Sequence, residues 1–272
     1  MSSNQFSTEL DVVEDPIVYG TGYVPVSGQQ VTTPDSFTSF PRTIEVTFNR
    51  SSNTTRAILL GNCGGSSNDY FNLECPKNEN IIYLNLCLGG VTYQHSFNTV
   101  SIPVGQTVRV TVVIEDTEVK CYVNGVLAQS RSKTNGGNGS KTTEALLESA
   151  KKANLSNLWG IGNDLRTYPF VGTIYDIALW SDVRTAEEVA GSSIEKIATA
   201  EYQDNLLAAY NFWTGYKASE QNFSKDLSGN GKDLTGTPNV GTGSTKLNLD
   251  VEATVYGTGY VPVSGQQVKT PS

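Results

Sequence analysis

The sequence TVRVTVVI at residues 107–114 is the clearest buried strand of the chain. Four polar residues follow it, and VKCYV at residues 119–123 forms a second apolar run. Asn124-Gly125 comes next, the residue pair most typical of a two-residue hairpin turn, and residues 126–128 begin a returning strand. Apolar runs separated by short turns predict antiparallel hairpins, so the centre of the chain is β-structure.

Similar short segments continue on both sides of this hairpin. Residues 43–48 (TIEVTF) alternate polar and apolar side chains, which is the period-two pattern of a half-buried strand. Further strands are predicted at residues 57–60, 70–73, 81–88, 91–97, 158–161, 170–180 and 206–212. Many short strands with turns between them are typical of two antiparallel sheets packed as a sandwich.

One segment interrupts the strands with helical features. Residues 143–153 (TEALLESAKKA) predict one short helix, with a threonine near its start and two lysines in its last turn. Residues 181–190 predict a helical turn, and residues 198–200 a linker. The predicted fold class is therefore all-β, an antiparallel β-sandwich with one short inserted helix.

Length, composition and charge narrow the classes of function. A chain of 272 residues fits one large β-sandwich. The formal net charge of −8 disfavours nucleic acids and anionic membranes as partners held by charge. No run of 18 apolar residues is present, so membrane insertion is not expected. The first residues lack a basic region followed by an apolar core, so we expect synthesis without a signal peptide.

A long repeat joins the two ends of the chain. Residues 18–31 read VYGTGYVPVSGQQV, and residues 255–268 repeat the same letters. Weaker similarity extends this duplicated segment to residues 7–34 and 244–271. Such a repeat has to be placed before a fold is assigned.

The remaining sequence suggests how the chain is divided. Residues 1–17 are polar and acidic, with little periodicity, and predict an extended N-terminal arm. Residues 18–272 then predict a single β-sandwich domain that carries the duplicated segment at both ends.

Four motifs give the chain a resemblance to a known family. FVGTIYDIALW at residues 170–180 resembles the closing signature of laminin-G-like, concanavalin A-like lectin/glucanase jelly rolls. WGIG at residues 159–162 resembles the strand before it, and YVNG at residues 122–125 the hairpin upstream. LLAAYNF at residues 206–212 resembles the opening of that family, although it follows the closing signature here. The resemblance implies a jelly roll that is circularly permuted.

The permuted order places the duplicated segment at the seam of the fold. One sandwich offers one position for this segment, so the two copies compete for it. The spare copy either exchanges into a neighbouring molecule, giving a homo-oligomer, or stays as an inert or locally docked extra segment. The residues predicted to make these assembly contacts are Tyr19, Tyr23, Val24, Val26, Tyr256, Tyr260, Val261 and Val263.

Catalysis is not expected from the ionisable residues. The single histidine, His95, is predicted on the polar face of a strand, and any Ser-His-Asp site would depend on it alone. Glycoside hydrolysis usually needs two carboxylates about 5–10 Å apart across one bond. The nearest cluster, Glu115, Asp116 and Glu118, is predicted to be a solvated turn and lacks the alternating spacing of the family's glucanases.

One loop has features of a calcium site. Asp226, Ser228 and Asn230, followed by Gly231, resemble the first ligands of a calcium-binding loop. Thr237 stands where such a loop would carry glutamate, and the family uses the same sequence as a plain turn. The expected cofactor is therefore none or calcium.

Glycan binding is the function that the resemblance implies most broadly. Sugar sites combine aromatic faces for stacking with planar polar groups for hydroxyls. The candidates whose sequence context suggests exposure are Asn163, Arg166, Tyr168, Trp213 and Tyr216. Packing in the core or anchoring of a turn is the alternative role for them.

These observations predict a non-enzymatic structural or adhesion module of a large assembly. A decoration or fibre protein on the surface of a phage or virus particle, with glycan binding as an added property, is the main interpretation. The first alternative is a stand-alone, lectin-like carbohydrate-binding module, and the second, disfavoured, is a glycoside hydrolase. The expected partners are other chains of the same assembly and cell-surface glycans.

Overall fold

The computed structural model describes residues 22–27, 30–34, 40–62, 70–134, 142–143, 145, 159–163, 168–199, 201–213 and 222–240. These residues form two antiparallel sheets whose inner faces share one hydrophobic core. The predicted all-β sandwich is therefore confirmed. The predicted arm at residues 1–17 and the second copy of the duplicated segment lie outside the described residues.

The described residues contribute eleven strands. In chain order they are β1 (Thr43–Arg50), β2 (Ala57–Gly61), β3 (Tyr70–Cys75), β4 (Ile82–Leu88), β5 (Val91–Phe97), β6 (Thr107–Ile114), β7 (Val119–Val123), β8 (Val126–Arg131), β9 (Gly160–Ile161), β10 (Gly172–Trp180) and β11 (Leu206–Asn211). The six-stranded sheet has the order β11-β10-β1-β6-β7-β8. The five-stranded sheet has the order β5-β4-β3-β2-β9.

Two local features follow directly from the sequence. Asn124 and Gly125 join β7 to β8 with φ angles of 50° and 80°, the left-handed pair that a tight hairpin requires. β11, which carries the opening motif, pairs with β10, which carries the closing motif. The two motifs are thus neighbours in one sheet.

The core is formed by alternate side chains of both sheets. Ile44, Val46 and Phe48 of β1 are fully buried and share one cluster with Phe71 and Leu73 of β3. Successive side chains of a strand point to opposite faces, so this alternation leaves a second set of side chains on the outer face of each sheet. Fully burying one large apolar side chain contributes roughly 1.5–3 kcal/mol.

Two short helices lie between β10 and β11, namely α1 (Ala186–Gly191) and α2 (Ile194–Ala198). Thr185 caps α1, because its hydroxyl accepts from the Glu188 amide while the Glu188 carboxylate accepts from the Thr185 amide. The helix α1 overlaps the helical turn predicted at residues 181–190, whereas the sequence analysis did not predict α2. The helix predicted at residues 143–153 lies almost entirely outside the described residues.

The helices cover the outer face of the six-stranded sheet. Ile194 and Ile197 of α2 share a buried cluster with Trp180, Ala209 and other outward side chains of β10 and β11. Val189 of α1 packs with Val113 and Tyr122 in the same way. We call this outer surface of the six-stranded sheet the helix-covered face. Among the described residues, no helix is long and apolar enough to cross a membrane.

The first copy of the duplicated segment is built into the sandwich. Tyr23 pairs with Ile174 of β10 on one side and with Val240 on the other, and Thr32 pairs with Gly160 of β9 and with Thr235. Tyr23 and Val31 are fully buried in the core. We call the position filled by residues 22–34 the slot. The segment in the slot pairs with β10 of the six-stranded sheet and with β9 at the edge of the five-stranded sheet.

Candidate functional site

The outer face of the five-stranded sheet is polar and aromatic rather than apolar. Tyr70, Asn72 and Glu74 alternate along β3 with the core residues Phe71 and Leu73. The register continues this outward row onto the two neighbouring strands. We call the outward set the polar face, which consists of Arg56, Tyr70, Asn72, Glu74, Tyr83, Asn85, Gln94 and Tyr168.

Side-chain hydrogen bonds run across the strands of this face. Gln94 Nε2 donates to Asn85 Oδ1 at 2.9 Å, and Ser96 Oγ donates to Gln94 Oε1 at 2.9 Å. The hydroxyls of Tyr70 and Thr92 lie 3.1 Å apart. Because each partner belongs to a regular strand, these amide and hydroxyl groups are held in fixed positions before any ligand arrives.

A charged pair lies at the β2 side of the polar face. Arg56 Nε donates to Glu74 Oε2 at 2.8 Å, and Arg56 Nη2 contacts the same oxygen. Burial alone would lower the pKa of Arg56, but the Glu74 carboxylate outweighs this effect and raises it. The guanidinium therefore stays charged and is neutralised by its partner.

An exposed aromatic ring stands over this pair. The Arg56 guanidinium carbon lies 4.9 Å from the centroid of the Tyr168 ring, a cation–π contact that limits the orientation of the ring. Tyr168 is 41% exposed, and its carbonyl accepts from the Ile58 amide of β2. The other side of the ring can therefore present an apolar surface to a ligand, next to hydrogen-bonding groups.

The side-chain oxygen of Asn72, a member of the polar face, is buried. Asn72 is almost fully buried, and its Oδ1 has no hydrogen-bond partner among the described residues. Gly61 of β2 lies directly beside it, since a Cβ at that position would come within 2.3 Å of the same oxygen. A larger residue at position 61 would thus displace the Asn72 side chain.

The structure describes three of the five residues predicted to bind glycans, and one of these three is exposed. Tyr168 lies at the surface as expected, but Asn163 and Trp213 are each only 8% exposed, so the expected exposure is wrong for both. Trp213 is held in the cluster beneath α2, and Asn163 Nδ2 donates to the carbonyl of Ile161. Arg166 and Tyr216 lie outside the described residues.

The assembly residues also separate into two groups. Tyr23 is fully buried in the slot, whereas Val24 and Val26 are exposed beside it. The other five, which lie outside the described residues, are Tyr19, Tyr256, Tyr260, Val261 and Val263.

The predicted calcium loop is closed by its own hydrogen bonds. The Asp226 carboxylate accepts from the amides of Ala209, Ser228 and Lys232 and from the Ser228 hydroxyl, at 2.7–3.0 Å. Asn230 Nδ2 donates to the Leu206 carbonyl. These contacts make the segment a self-contained turn, and calcium could enter only by replacing them. The residues as placed do not fit a calcium site, and calcium binding stays an untested prediction.

The predicted position of His95 on a polar strand face is wrong. His95 lies opposite Leu84 on the inner side of the five-stranded sheet and is fully buried. Neither ring nitrogen has a hydrogen-bond partner among the described residues. Burial, with a further effect from Arg131, lowers the pKa of His95 to about 4. The error arose because QHSF was read as polar, although the register points every second residue into the core.

The carboxylate cluster of the β6–β7 turn is engaged in ion pairs. Lys120 Nζ lies 2.6 Å from Glu115 Oε1 and 3.2 Å from Glu118 Oε1. The cluster therefore stabilises a surface turn. The described residues also contain no group of three or more His, Cys, Asp or Glu side chains arranged to hold a metal ion.

The sequence analysis missed most of the polar face. Its signal was present in the alternation of YFNLEC, IYLNLCL and VTYQHSF, where every second residue is polar or aromatic. The pairing of these strands with one another could not be read from the alternation alone. Without that pairing, the outward residues of separate segments could not be grouped.

Comparisons with known proteins give a consistent result for the fold. A family model described as the concanavalin A-like lectin/glucanases superfamily matches residues 20–190. No curated protein matches the sequence. A crystal structure from Bacteroides ovatus, described as that of a candidate carbohydrate-binding protein, matches at a TM-score of 0.50 and 15% identity. The match covers 83% of this chain and 59% of that one, so this chain spans little more than half of its length.

Two further structures are similar at lower TM-scores. One is the CBM40 module of a Ruminococcus gnavus sialidase bound to α2,3-sialyllactose, at a TM-score of 0.40 and 18% identity, covering 64% of this chain and 92% of that one. The other is a heptameric SAP-like pentraxin from Limulus polyphemus, at a TM-score of 0.42 and 12% identity, covering 62% and 79%.

Proposed function

Because the chain belongs to the concanavalin A-like lectin/glucanase superfamily, we propose that it is a non-enzymatic, lectin-like carbohydrate-binding module. Nothing in the fold or in the comparisons supports the virion-surface interpretation, and the lectin-like alternative accounts for the structure better. Fold alone does not decide between binding and hydrolysis in such sandwiches, so the proposal depends on the site.

The observation that carries the proposal is the exposed Tyr168 ring over the Arg56–Glu74 pair. A sugar ring presents an apolar face that stacks on an aromatic ring, and hydroxyls that pair with amides, carboxylates and guanidinium groups. Tyr168 supplies the ring, and Arg56, which directly precedes β2, supplies the guanidinium. Glu74 of β3 and Gln94 of β5 supply the carboxylate and an amide on regular strands. Preorganised groups lose little conformational freedom when a ligand binds, which favours affinity.

The charge of the site favours neutral sugars over acidic ones. Arg56 is the cation of the polar face, and its charge is taken up by Glu74 at hydrogen-bonding distance. The remaining groups of the set are amides and phenols. An acidic sugar would have to compete with Glu74 for Arg56, whereas a neutral sugar would leave the ion pair intact.

A glycan array with the whole chain tests the proposal. We expect selective binding of neutral glycans, which is lost or at least tenfold weaker in Tyr168→Ala. The matched control is Leu127→Ala, which removes another exposed apolar side chain from β8 of the other sheet and should bind as the parent does. The proposal is wrong if the parent binds no glycan, or if both variants lose affinity equally.

A further inference from the structure

Backbone hydrogen bonds to both sheets hold the first copy, residues 22–34, in the slot. Tyr23 and Ile174 exchange two such bonds of 2.8 Å, and Thr32 and Thr235 exchange two more of 3.0 and 2.9 Å. At the five-stranded sheet, the Thr33 amide donates to the carbonyl of Trp159. The segment in the slot thus receives the pairing of an inserted strand, and the core is incomplete without its Tyr23 and Val31 side chains.

The residues that line the slot lie very close to this segment, and little space remains for larger side chains at the contacts. A Cβ at Gly162 would come within 2.3 Å of Pro25, and a Cβ at Gly236 within 2.3 Å of the Gln30 carbonyl. On the segment itself, a Cβ at Gly22 would come within 2.6 Å of the Ile174 carbonyl. The segment therefore has to carry glycine at its contact with Ile174, and its proline and the Gln30 carbonyl lie against the two wall glycines.

The sequence of the second copy meets every one of these requirements. The residues that correspond to Gly22, Tyr23, Pro25, Gln30 and Val31 are Gly259, Tyr260, Pro262, Gln267 and Val268. Thr33, whose hydroxyl accepts from the Trp159 amide, also has an identical counterpart in Thr270.

The second copy is tethered close to the slot. The Val24 amide donates to the Asn239 carbonyl at 2.9 Å, so the chain leaves the described residues at Val240 immediately beside the first copy. Residues 241–254 connect this point to the second copy and can span roughly 45 Å when extended. A short tether of this kind gives an effective concentration on the order of millimolar, so its own chain is the favoured source of a replacement segment.

One substitution between the copies ranks them as ligands. Thr32 is 6% exposed between Gly160 and Thr235, and its counterpart in the second copy is Lys269. A lysine at this buried position must direct its ammonium group back to water along its methylene chain, at the expense of packing. The first copy is therefore the better occupant, as the structure has it.

We propose that residues 259–271, the counterpart of residues 22–34, are a second, weaker ligand for the slot of their own chain, which enters when residues 22–34 leave. The exchange preserves the buried tyrosine and the strand pairing, and it releases the N-terminal segment from the sandwich. The duplication thereby gives the sandwich two alternative states, with either the first or the second copy in the slot.

Tyrosine substitutions in the full chain test this exchange through urea unfolding. Tyr260→Ala should leave the unfolding midpoint unchanged, because the first copy fills the slot. Tyr23→Ala should lower the midpoint only partly, because the second copy takes over. The double variant should lose both occupants, and its folding equilibrium constant should fall at least tenfold below that of Tyr23→Ala. Equal midpoints for Tyr23→Ala and the double variant would overturn the proposal.

A control and a second pair of variants make the result specific. Val46→Ala damages the core within β1, and adding Tyr260→Ala to it should have no further effect. Thr32→Lys weakens the first copy mildly, and adding Lys269→Thr should restore the midpoint; failure to restore it also contradicts the exchange. Sedimentation velocity on Tyr23→Ala should show monomers at all concentrations, whereas rescue confined to dimers would refute the own-chain source.

Discussion

The two outer faces of the sandwich arise from the same strand alternation but differ in what the alternation exposes. Outward residues of β10 and β11 such as Trp180 and Ala209 form an apolar cluster that α2 covers. The helix α1 covers Val113 of β6 and Tyr122 of β7. The outward residues of β3, β4 and β5 are amides, hydroxyls and tyrosines, and they bond to one another across the strands. The apolar outer face is covered by helices. On the polar face the side chains of Asn72, Glu74 and Asn85 are buried, while Tyr168 is 41% exposed.

Because of this difference, the side chains that stabilise the fold and those of the proposed glycan site lie on opposite outer faces. On the helix-covered face, each side chain is fixed by packing against a helix, so changes there act on the whole fold. On the polar face, the exposed Tyr168 side chain contributes little to the core, so its identity can be determined by the ligand that it contacts. The comparison therefore predicts opposite consequences for substitutions on the two faces.

The largest effect is expected on the helix-covered face. Trp180→Ala removes a fully buried indole whose Nε1 donates to the Tyr202 carbonyl at 3.0 Å. The free energy of unfolding should fall by about 3–5 kcal/mol, the usual cost of such a truncation. Urea unfolding measures it, with the exposed Leu127→Ala as the control. A loss below about 1 kcal/mol would show that the helices are not an essential cover.

The next effect concerns the inner side of the sheet that carries the polar face. The pKa of His95 is about 4 when folded, against about 6.5 when unfolded, so the unfolded chain takes up the proton first. Stability contributed by neutral His95 is present above pH 6.5 and is lost as the pH falls to 4, by about 3 kcal/mol. Comparing unfolding free energies of the parent and His95→Leu across this range isolates the effect. The same pH slope in both proteins would contradict it.

A smaller effect on stability is expected at the start of α1, one of the two helices of the helix-covered face. Thr185→Ala removes the hydroxyl that accepts from the Glu188 amide, which is one side of the capping box at the start of α1, and helix caps of this kind contribute about 1 kcal/mol. The loss should appear as a lower thermal midpoint with an unchanged fold by circular dichroism. Thr117→Ala, in the exposed β6–β7 turn, is the matched control and should unfold like the parent.

The smallest effect on stability is expected at the polar face. Tyr168→Ala should change the free energy of unfolding by no more than about 0.5 kcal/mol, since the ring is exposed and outside the core. The same variant is expected to lose glycan binding, so its stability shows whether that loss is local. A large destabilisation would remove the distinction between the two faces.

The strands could be predicted from the sequence because each depends on its own alternation. Residues 107–114 and the Asn124-Gly125 turn were placed correctly for this reason. The position of His95 and the burial of Trp213 could not be predicted in this way, since they depend on which strand or helix packs against them. The helix α2 was missed because Ile194 and Ile197 are held by contact with the sheet more than by a helical pattern of their own.

The candidate site shows the same limit. Tyr168 was identified as an aromatic residue in an exposed context, but its neighbours Arg56 and Glu74 are distant in sequence. Only the register of β2 with β3 brings them together. The duplicated segment, in contrast, could be identified from its letters alone, and the structure added which copy is in the slot.

The attachment of residues 22–34 to both sheets also determines how the molecule carries mechanical load. If the chain is pulled from the N-terminal side of Gly22, the first described contacts to bear the force are the Tyr23 hydrogen bonds to β10. The strand β1 begins only at Thr43, further along the chain. Tension from the N-terminal side is thus taken up by the seam between the sheets. Under such a load we expect residues 22–34 to detach first, while the remaining strands stay paired.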